Sequence, residues 1–116
     1  MSRQEAERRG RRGEGWAALY LRCKGWRILA RRIRTPRGEI DLVARRGRTL
    51  AFIEVKWRQT DEALDRAIDA HRLSRVAAAA EAVLHRYLRE GDNARIDALL
   101  LAPRRFPRHI VNAWQP

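Results

Sequence analysis

The chain has 116 residues, 45% of them apolar, which suits one domain around a single core and is too short for two. Its 26 lysines and arginines against 14 acids give a net charge of +12, a field that favours a polyanion such as nucleic acid over an acidic small molecule. No apolar run nears the roughly 20 residues of a membrane span, the start Met1-Ser2-Arg3-Gln4-Glu5 lacks the apolar core of a signal peptide, and the single Cys23 excludes an internal disulfide, so the cytoplasm is the expected compartment.

Residues 1–12 carry Arg3, Arg8, Arg9, Arg11 and Arg12 against Glu5 and Glu7, and read as a mobile basic arm or a frayed first turn. From about Gly13 the spacing of Trp16, Leu19, Tyr20 and Cys23 predicts a helix that stops at Gly25. Glu14 shares another stripe with Ala17, Ala18 and Leu21, small residues that let a helix lie close to a sheet and bring a carboxylate to it. A solvated glutamate complementing the helix dipole explains the same position equally well. Trp26 to Arg34 reads as a strand with Trp26, Ile28, Ala30 and Ile33 on its apolar side, followed by a turn at Thr35-Pro36-Arg37-Gly38.

Two strand-like segments come next, Gly38-Glu39-Ile40-Asp41-Leu42-Val43 and Phe52-Ile53-Glu54-Val55-Lys56, joined by a turn at Arg46-Gly47-Arg48. Period-two alternation puts Glu39, Asp41 and Val43 on one face of the first and Phe52, Glu54 and Lys56 on one face of the second. A hairpin centred between Gly47 and Arg48 sets Asp41 opposite Glu54 and Glu39 opposite Lys56. Beyond it, Thr60-Asp61-Glu62 opens a short helical piece with Leu64, Ala67 and Ile68, and Asp69 is placed to cap a longer helix. In that helix Leu73, Val76, Ala77, Ala80, Val83, Leu84, Tyr87 and Leu88 step by three and four up to Gly91. Arg72 and Arg75 near its start face away from this stripe, where they are either solvated or in contact with backbone phosphates. A largely apolar strand over Arg95 to Leu101, a basic loop Arg104-Arg105-Phe106-Pro107-Arg108 and a last strand from His109 to Trp114 complete the chain. The order of elements predicts an α/β domain over residues 13–116, a mixed central sheet with helices on both faces.

Like charges opposed across a hairpin stand about 5 Å apart at Cβ and destabilise it, so Asp41 against Glu54 calls for a counter-charge. A hard divalent ion held by carboxylate oxygens supplies one; an exposed, salt-bridged hairpin is the alternative. Lys24 and Lys56 are the two lysines among 26 basic residues. Where arginine serves as the ordinary cation, a lysine two residues from Glu54 points to a need for a compact, titratable ammonium, unless its placement is chance. His71, His85 and His109 have no partners at zinc-ligand spacing, and no Gly-rich phosphate loop or Ser/His/Asp pattern is present, so neither zinc nor a nucleotide cofactor is expected.

Glu14, Gly38-Glu39-Ile40-Asp41-Leu42, Ile53-Glu54-Val55-Lys56-Trp57-Arg58, Arg72-x-x-Arg75 and Arg95-Ile96-Asp97 together resemble the small bacterial YraN-type proteins, a family of unassigned activity. That family is similar to archaeal Holliday-junction resolvases and to the PD-(D/E)XK nucleases, whose fold is restriction-endonuclease-like. The resemblance implies a Mg²⁺- or Mn²⁺-dependent endonuclease acting on DNA, structure-directed or non-specific, with Glu14, Asp41, Glu54 and Lys56 as the catalytic set. Asp41, Glu54 and the Val55 carbonyl would hold the ion, Lys56 would orient water or stabilise charge on the phosphate, and Glu39 would be a further ligand or a partner of Lys56. Arg12, Arg37, Arg58, Arg72 and Arg75 are the candidates for holding nucleic acid, with Arg11, Arg31, Arg32, Arg34 and, at the hairpin tip, Arg45, Arg46 and Arg48 as further phosphate contacts; a solvated surface charge is the alternative at each. A homodimer follows by analogy, since two sites suit two strands. A nucleic-acid-binding module that keeps this fold without cutting is the alternative function.

Overall fold

The structure, a computed structural model, describes residues 3–58 and 70–114, with side chains from residue 13 onward. Helix α1 spans Arg3–Cys23, strands β1, β2 and β3 span Arg27–Thr35, Gly38–Arg46 and Thr49–Trp57, helix α2 spans Ala70–Tyr87, and β4 and β5 span Asn93–Leu101 and Arg108–Ile110. The strands form one sheet in the order β1-β2-β3-β4-β5. β3 and β4 run parallel and the other neighbours antiparallel, so the sheet is mixed as the order of elements predicts. The short helical piece at 60–68 and the cap at Asp69 lie outside the described residues.

Each helix covers one face of the sheet. Ala17 and Leu21 of α1 pack with Trp26, Leu42, Ala44, Ala51, Ile53, Leu99 and Leu101. Leu73, Val76, Ala79, Ala80 and Val83 of α2 pack with Ile40, Val43, Leu50, Phe52 and Ile96. The apolar stripe of α2 and the small-residue stripe of α1 are thus the two halves of the core, whereas Trp16, Leu19 and Cys23, whose spacing predicts α1, are exposed.

Helix α1 begins ten residues before the expected Gly13 start. Glu5 with Arg9 and Glu7 with Arg11 have the i, i+4 acid-to-base order that supports helix in a polar segment, a signal outweighed in the sequence by the run of like charge. Its end falls where predicted: Gly25 takes φ 89° and Trp26 N donates to Leu21 O at 2.9 Å, the cap a left-handed glycine provides. The β2–β3 hairpin has the predicted register, from Arg46↔Thr49 to Leu42↔Ile53.

Strand β1 departs from simple alternation. A register shift between Ile28 and Ala30 sends Ile28 to the α1 side and Leu29, Ala30 and Ile33 to the α2 side. The last strand is also shorter than expected: the chain turns at Asn112 (φ 55°), and Ala113 N returns to Ile96 O at 2.7 Å.

Gly38 fixes the distance between sheet and α2. A Cβ there would stand 2.5 Å from the Arg75 carbonyl oxygen, a separation that carbon and oxygen do not tolerate. Thr35 closes the preceding turn, its Oγ1 accepting from Arg37 N and Gly38 N, each at 3.1 Å, and donating to Gly38 O at 2.9 Å. Gly38→Ala is expected to push the start of β2 away from α2 and to lower stability by about 1–3 kcal/mol in urea denaturation. An unchanged midpoint would show that the contact yields without cost.

Candidate metal centre

The β2–β3 ladder ends at Leu42↔Ile53, and from there a side chain takes over its role. Asp41 Oδ2 accepts the Val55 amide at 2.7 Å. The two strands part, and the gap opens into a cavity of about 370 Å³ lined by Glu14, Glu39, Asp41, Glu54, Val55, Lys56, Arg72, Arg75 and Val76. Segments far apart in sequence therefore bring four carboxylates, one lysine and two arginines to one place.

Lys56 is buried and pairs with the half-buried Glu54. Their Nζ and Oε1 are 2.7 Å apart, and their side chains are 9% and 13% exposed. Glu14 reaches the cavity from α1 and is ion-paired with the Arg32 Nε of β1. Asp41 is held up at a pKa of about 7, from an ordinary 3.8, first by burial and then by the negative charge of Glu54, with Glu14 adding to it. The Val55 amide and the Lys56 charge pull the other way without cancelling the rise.

The expected Glu39–Lys56 pairing is not what forms. Beyond Leu42, β2 keeps its pairing with β1 instead, so Glu39 lies opposite Arg34, with Nε and Oε1 3.7 Å apart and both side chains largely exposed. An ion pair of this kind contributes little. Lys56 takes Glu54 as its partner, two residues away on the same strand.

Asp41, Glu54 and the Val55 carbonyl offer a small set of hard oxygens, the donor chemistry of Mg²⁺ or Mn²⁺, which keep several waters when bound to few carboxylates. The raised pKa of Asp41 comes first from burial, and the part that Glu54 and Glu14 add is the repulsion a divalent ion would relieve. Among the described residues, no group of three or more His, Cys, Asp or Glu side chains is placed to hold a metal ion. A two-carboxylate donor set fits an ion that also binds substrate and water, and does not fit a closed structural site.

Of the arginines proposed for nucleic acid, Arg72 and Arg75 line the cavity. Arg37 pairs with Glu81 of α2 at 3.3 Å, and Arg58 donates to the Trp57 carbonyl at 2.8 Å. The Arg12 side chain lies outside the described residues. Arg45, which the sequence places at an exposed hairpin tip, is buried: it donates to Asp92 and to the Tyr87 carbonyl, each at 2.8 Å, and ties β2 to the end of α2. Arg46 lies over the Trp26 ring, 4.6 Å from its centroid. Asp97 is fully buried away from the cavity and joins β4 to the C-terminal segment, accepting from Arg95 Nε at 3.0 Å and Asn112 N at 2.9 Å and lying 2.7 Å from His109 Nε2. Burial alone would raise its pKa, but the bonds to His109, Asn112 and Arg95 more than offset this and hold it low. Cys23 is exposed. Arg32 is the site neighbour that sequence reading left undistinguished; only its position opposite Asp41 could have singled it out, and one arginine among many in β1 gives no such signal.

This sheet, with helices on both faces and acids gathered where two strands diverge, is a nuclease-like α/β fold of the restriction-endonuclease-like class. It is similar to a structure of Hjc, a Holliday junction resolvase from Archaeoglobus fulgidus, with a TM-score of 0.58 at 22% identity, covering 86% of this chain and 73% of that one. Residues 13–101 match the family described as uncharacterised protein family UPF0102, and the chain belongs to that family. UPF0102 proteins from Erythrobacter litoralis and Sphingopyxis alaskensis are 67% and 62% identical to it over 116 residues, the full length of each chain. No helix among the described residues is long and apolar enough to cross a membrane.

Proposed function

We propose that the protein is a Mg²⁺- or Mn²⁺-dependent endonuclease that hydrolyses phosphodiester bonds in DNA, by structure or without sequence preference. The observation that carries this reading is the convergence of Glu14, Asp41, Glu54, Lys56, Arg72 and Arg75 on one cavity at the point where β2 and β3 part. Asp41, Glu54 and the Val55 carbonyl would hold the ion. When bound, the ion polarises the phosphoryl group and makes water more acidic. Lys56, already anchored on Glu54, orients the attacking water or balances charge gathering on the phosphate. Glu14 is the helix-borne acid beside this group, and Arg72 and Arg75 bind the flanking phosphates at positions that carry no base information.

In this reading residues 13–116 form the nuclease-like domain and the basic segment 1–12, Arg12 included, extends its hold on the backbone. Arg37 and Arg58 would add phosphate contacts outside the cavity. A cytoplasmic homodimer would present two such sites to two strands.

The test is incubation of the purified protein with duplex, flap, four-way-junction and single-stranded DNA in Mg²⁺ or Mn²⁺, with chelator controls. Metal-dependent cutting of at least one substrate is expected, with binding that weakens steeply as salt rises. A second reading, a module that binds nucleic acid without cutting, is favoured by one feature: Glu54 and Glu14 are already neutralised by Lys56 and Arg32. Salt-sensitive binding with every substrate intact in both ions would select that reading.

A further inference from the structure

Arg32 occupies a conformation that an arginine in a strand does not adopt without cause. It takes φ 52° in β1, in the left-handed region where a side chain crowds its own backbone. Its neighbours pair regularly with β2, Arg31↔Leu42 on one side and Ile33↔Ile40 on the other, which leaves Arg32 opposite Asp41. Residues two apart in a strand share a face. Here Leu42 packs on the α1 side while Ile40 and Ile33 pack on the α2 side. The pleat therefore breaks at the Arg32–Asp41 step, where Asp41 turns to accept the Val55 amide. At the same step the Arg32 guanidinium pairs with Glu14 on α1.

An ordinary solvated ion pair needs no left-handed backbone, and this one is only partly solvated: the Glu14 side chain is 15% exposed and that of Arg32 39%. The contact also decides how many carboxylates the cavity can offer. Glu39 is largely exposed beside Arg34, so with Glu14 engaged Asp41 and Glu54 are the shielded carboxylates left to an ion; with Glu14 released, there are three. Mg²⁺ is suited to one or two carboxylates and retained waters, whereas Ca²⁺ takes six to eight oxygens and gains affinity with each added carboxylate.

Resting on the reading of the cavity as a divalent-ion site, we propose that Arg32 is a positioning and specificity-determining residue that withholds Glu14 from the ion and so keeps the site selective for Mg²⁺ over Ca²⁺. The role belongs to the positive charge of the side chain, and the backbone break is what delivers it to α1.

Calorimetric titration of Mg²⁺ and Ca²⁺ into the full chain separates these parts. Arg32→Gly keeps the left-handed backbone, which glycine adopts freely, and removes the pairing group; Arg32→Asn does the same with a residue that tolerates this region. Both variants are expected to bind Ca²⁺ at least about tenfold more tightly than the wild type while Mg²⁺ affinity changes less, narrowing the selectivity. Adding Glu14→Gln to either is expected to abolish the gain, and Arg32→Lys to stay near the wild type. Unchanged or weaker Ca²⁺ binding in whichever of the two variants folds, or a gain that survives Glu14→Gln, overturns the proposal. Absence of any ion binding by the wild-type protein overturns the metal reading as well, so the two failures are told apart.

Discussion

Exchanging Asp41 for Asn is expected to lower Mg²⁺-dependent cleavage at least about a thousandfold, on the order of 4 kcal/mol of transition-state stabilisation. The substitution is a clean one. The asparagine carbonyl can still accept the Val55 amide that Asp41 accepts at 2.7 Å, so the parting of β2 and β3 survives while the negative charge goes. Lys56→Ala should lose activity on a similar scale, but it also strips the half-buried Glu54 of its partner. Leaving such a charge uncompensated costs about 3–5 kcal/mol of stability, so this variant must be assayed well below its melting temperature. Arg72→Ala and Arg75→Ala act on a different quantity, weakening DNA binding and flattening its salt dependence by about one phosphate contact each. Cleavage that persists in both Asp41→Asn and Lys56→Ala would belong to a contaminating nuclease and would remove the catalytic reading altogether.

What the sequence made legible was local. Alternation in β2 and β3 and the turn at Gly47 were enough for the hairpin register, because a two-stranded unit is fixed by its own turn. The stripes Ala17, Ala18, Leu21 and Leu73, Val76, Ala80, Val83 likewise marked the faces that became the core. The errors arose where a third element intervened. Extending the hairpin register to Glu39 and Lys56 ignored that β2 has a second neighbour: past Leu42 its pairing continues with β1 and not with β3. Arg45 looked like a solvent-facing charge because its partner Asp92 is 47 positions away, beyond the whole of α2. The bulge after Ile28 and the left-handed Arg32 carry no turn residue to announce them, since neither glycine nor asparagine stands there. The small neighbours of Glu14 fit a place beside the sheet no better than a solvated one, and nothing local tells of the guanidinium that meets it.

Asp41 also makes a claim on stability that can be read without any substrate. Its carboxyl titrates near 7 in the folded chain and near 3.8 in the unfolded one, so between those values the native state holds a proton that the unfolded state has lost. Stability must then fall as pH rises from about 4 to 7, by on the order of 4 kcal/mol in the absence of divalent ions, and level off above that. The direction is opposite to that of an ordinary salt-bridged aspartate. Asp92, bonded to Arg45 and drawn down to about 2, is the contrasting case: its contribution is complete above 3.8 and is lost only as pH falls towards 2, outside the window in question. Because a divalent ion competes with the Asp41 proton, its apparent affinity should climb about tenfold per pH unit below 7 and flatten above it. Urea denaturation at pH 5.5 and 8 with and without Mg²⁺ measures all of this. Mg²⁺ should stabilise strongly at pH 8 and weakly at pH 5.5, and Asp41→Asn should abolish both the ion effect and the slope between them. If the slope stayed in Asp41→Asn, Asp41 would not be its source and would titrate as an ordinary carboxylate. If the slope vanished while Mg²⁺ still stabilised the variant, the ion would have to sit somewhere other than the gap between β2 and β3.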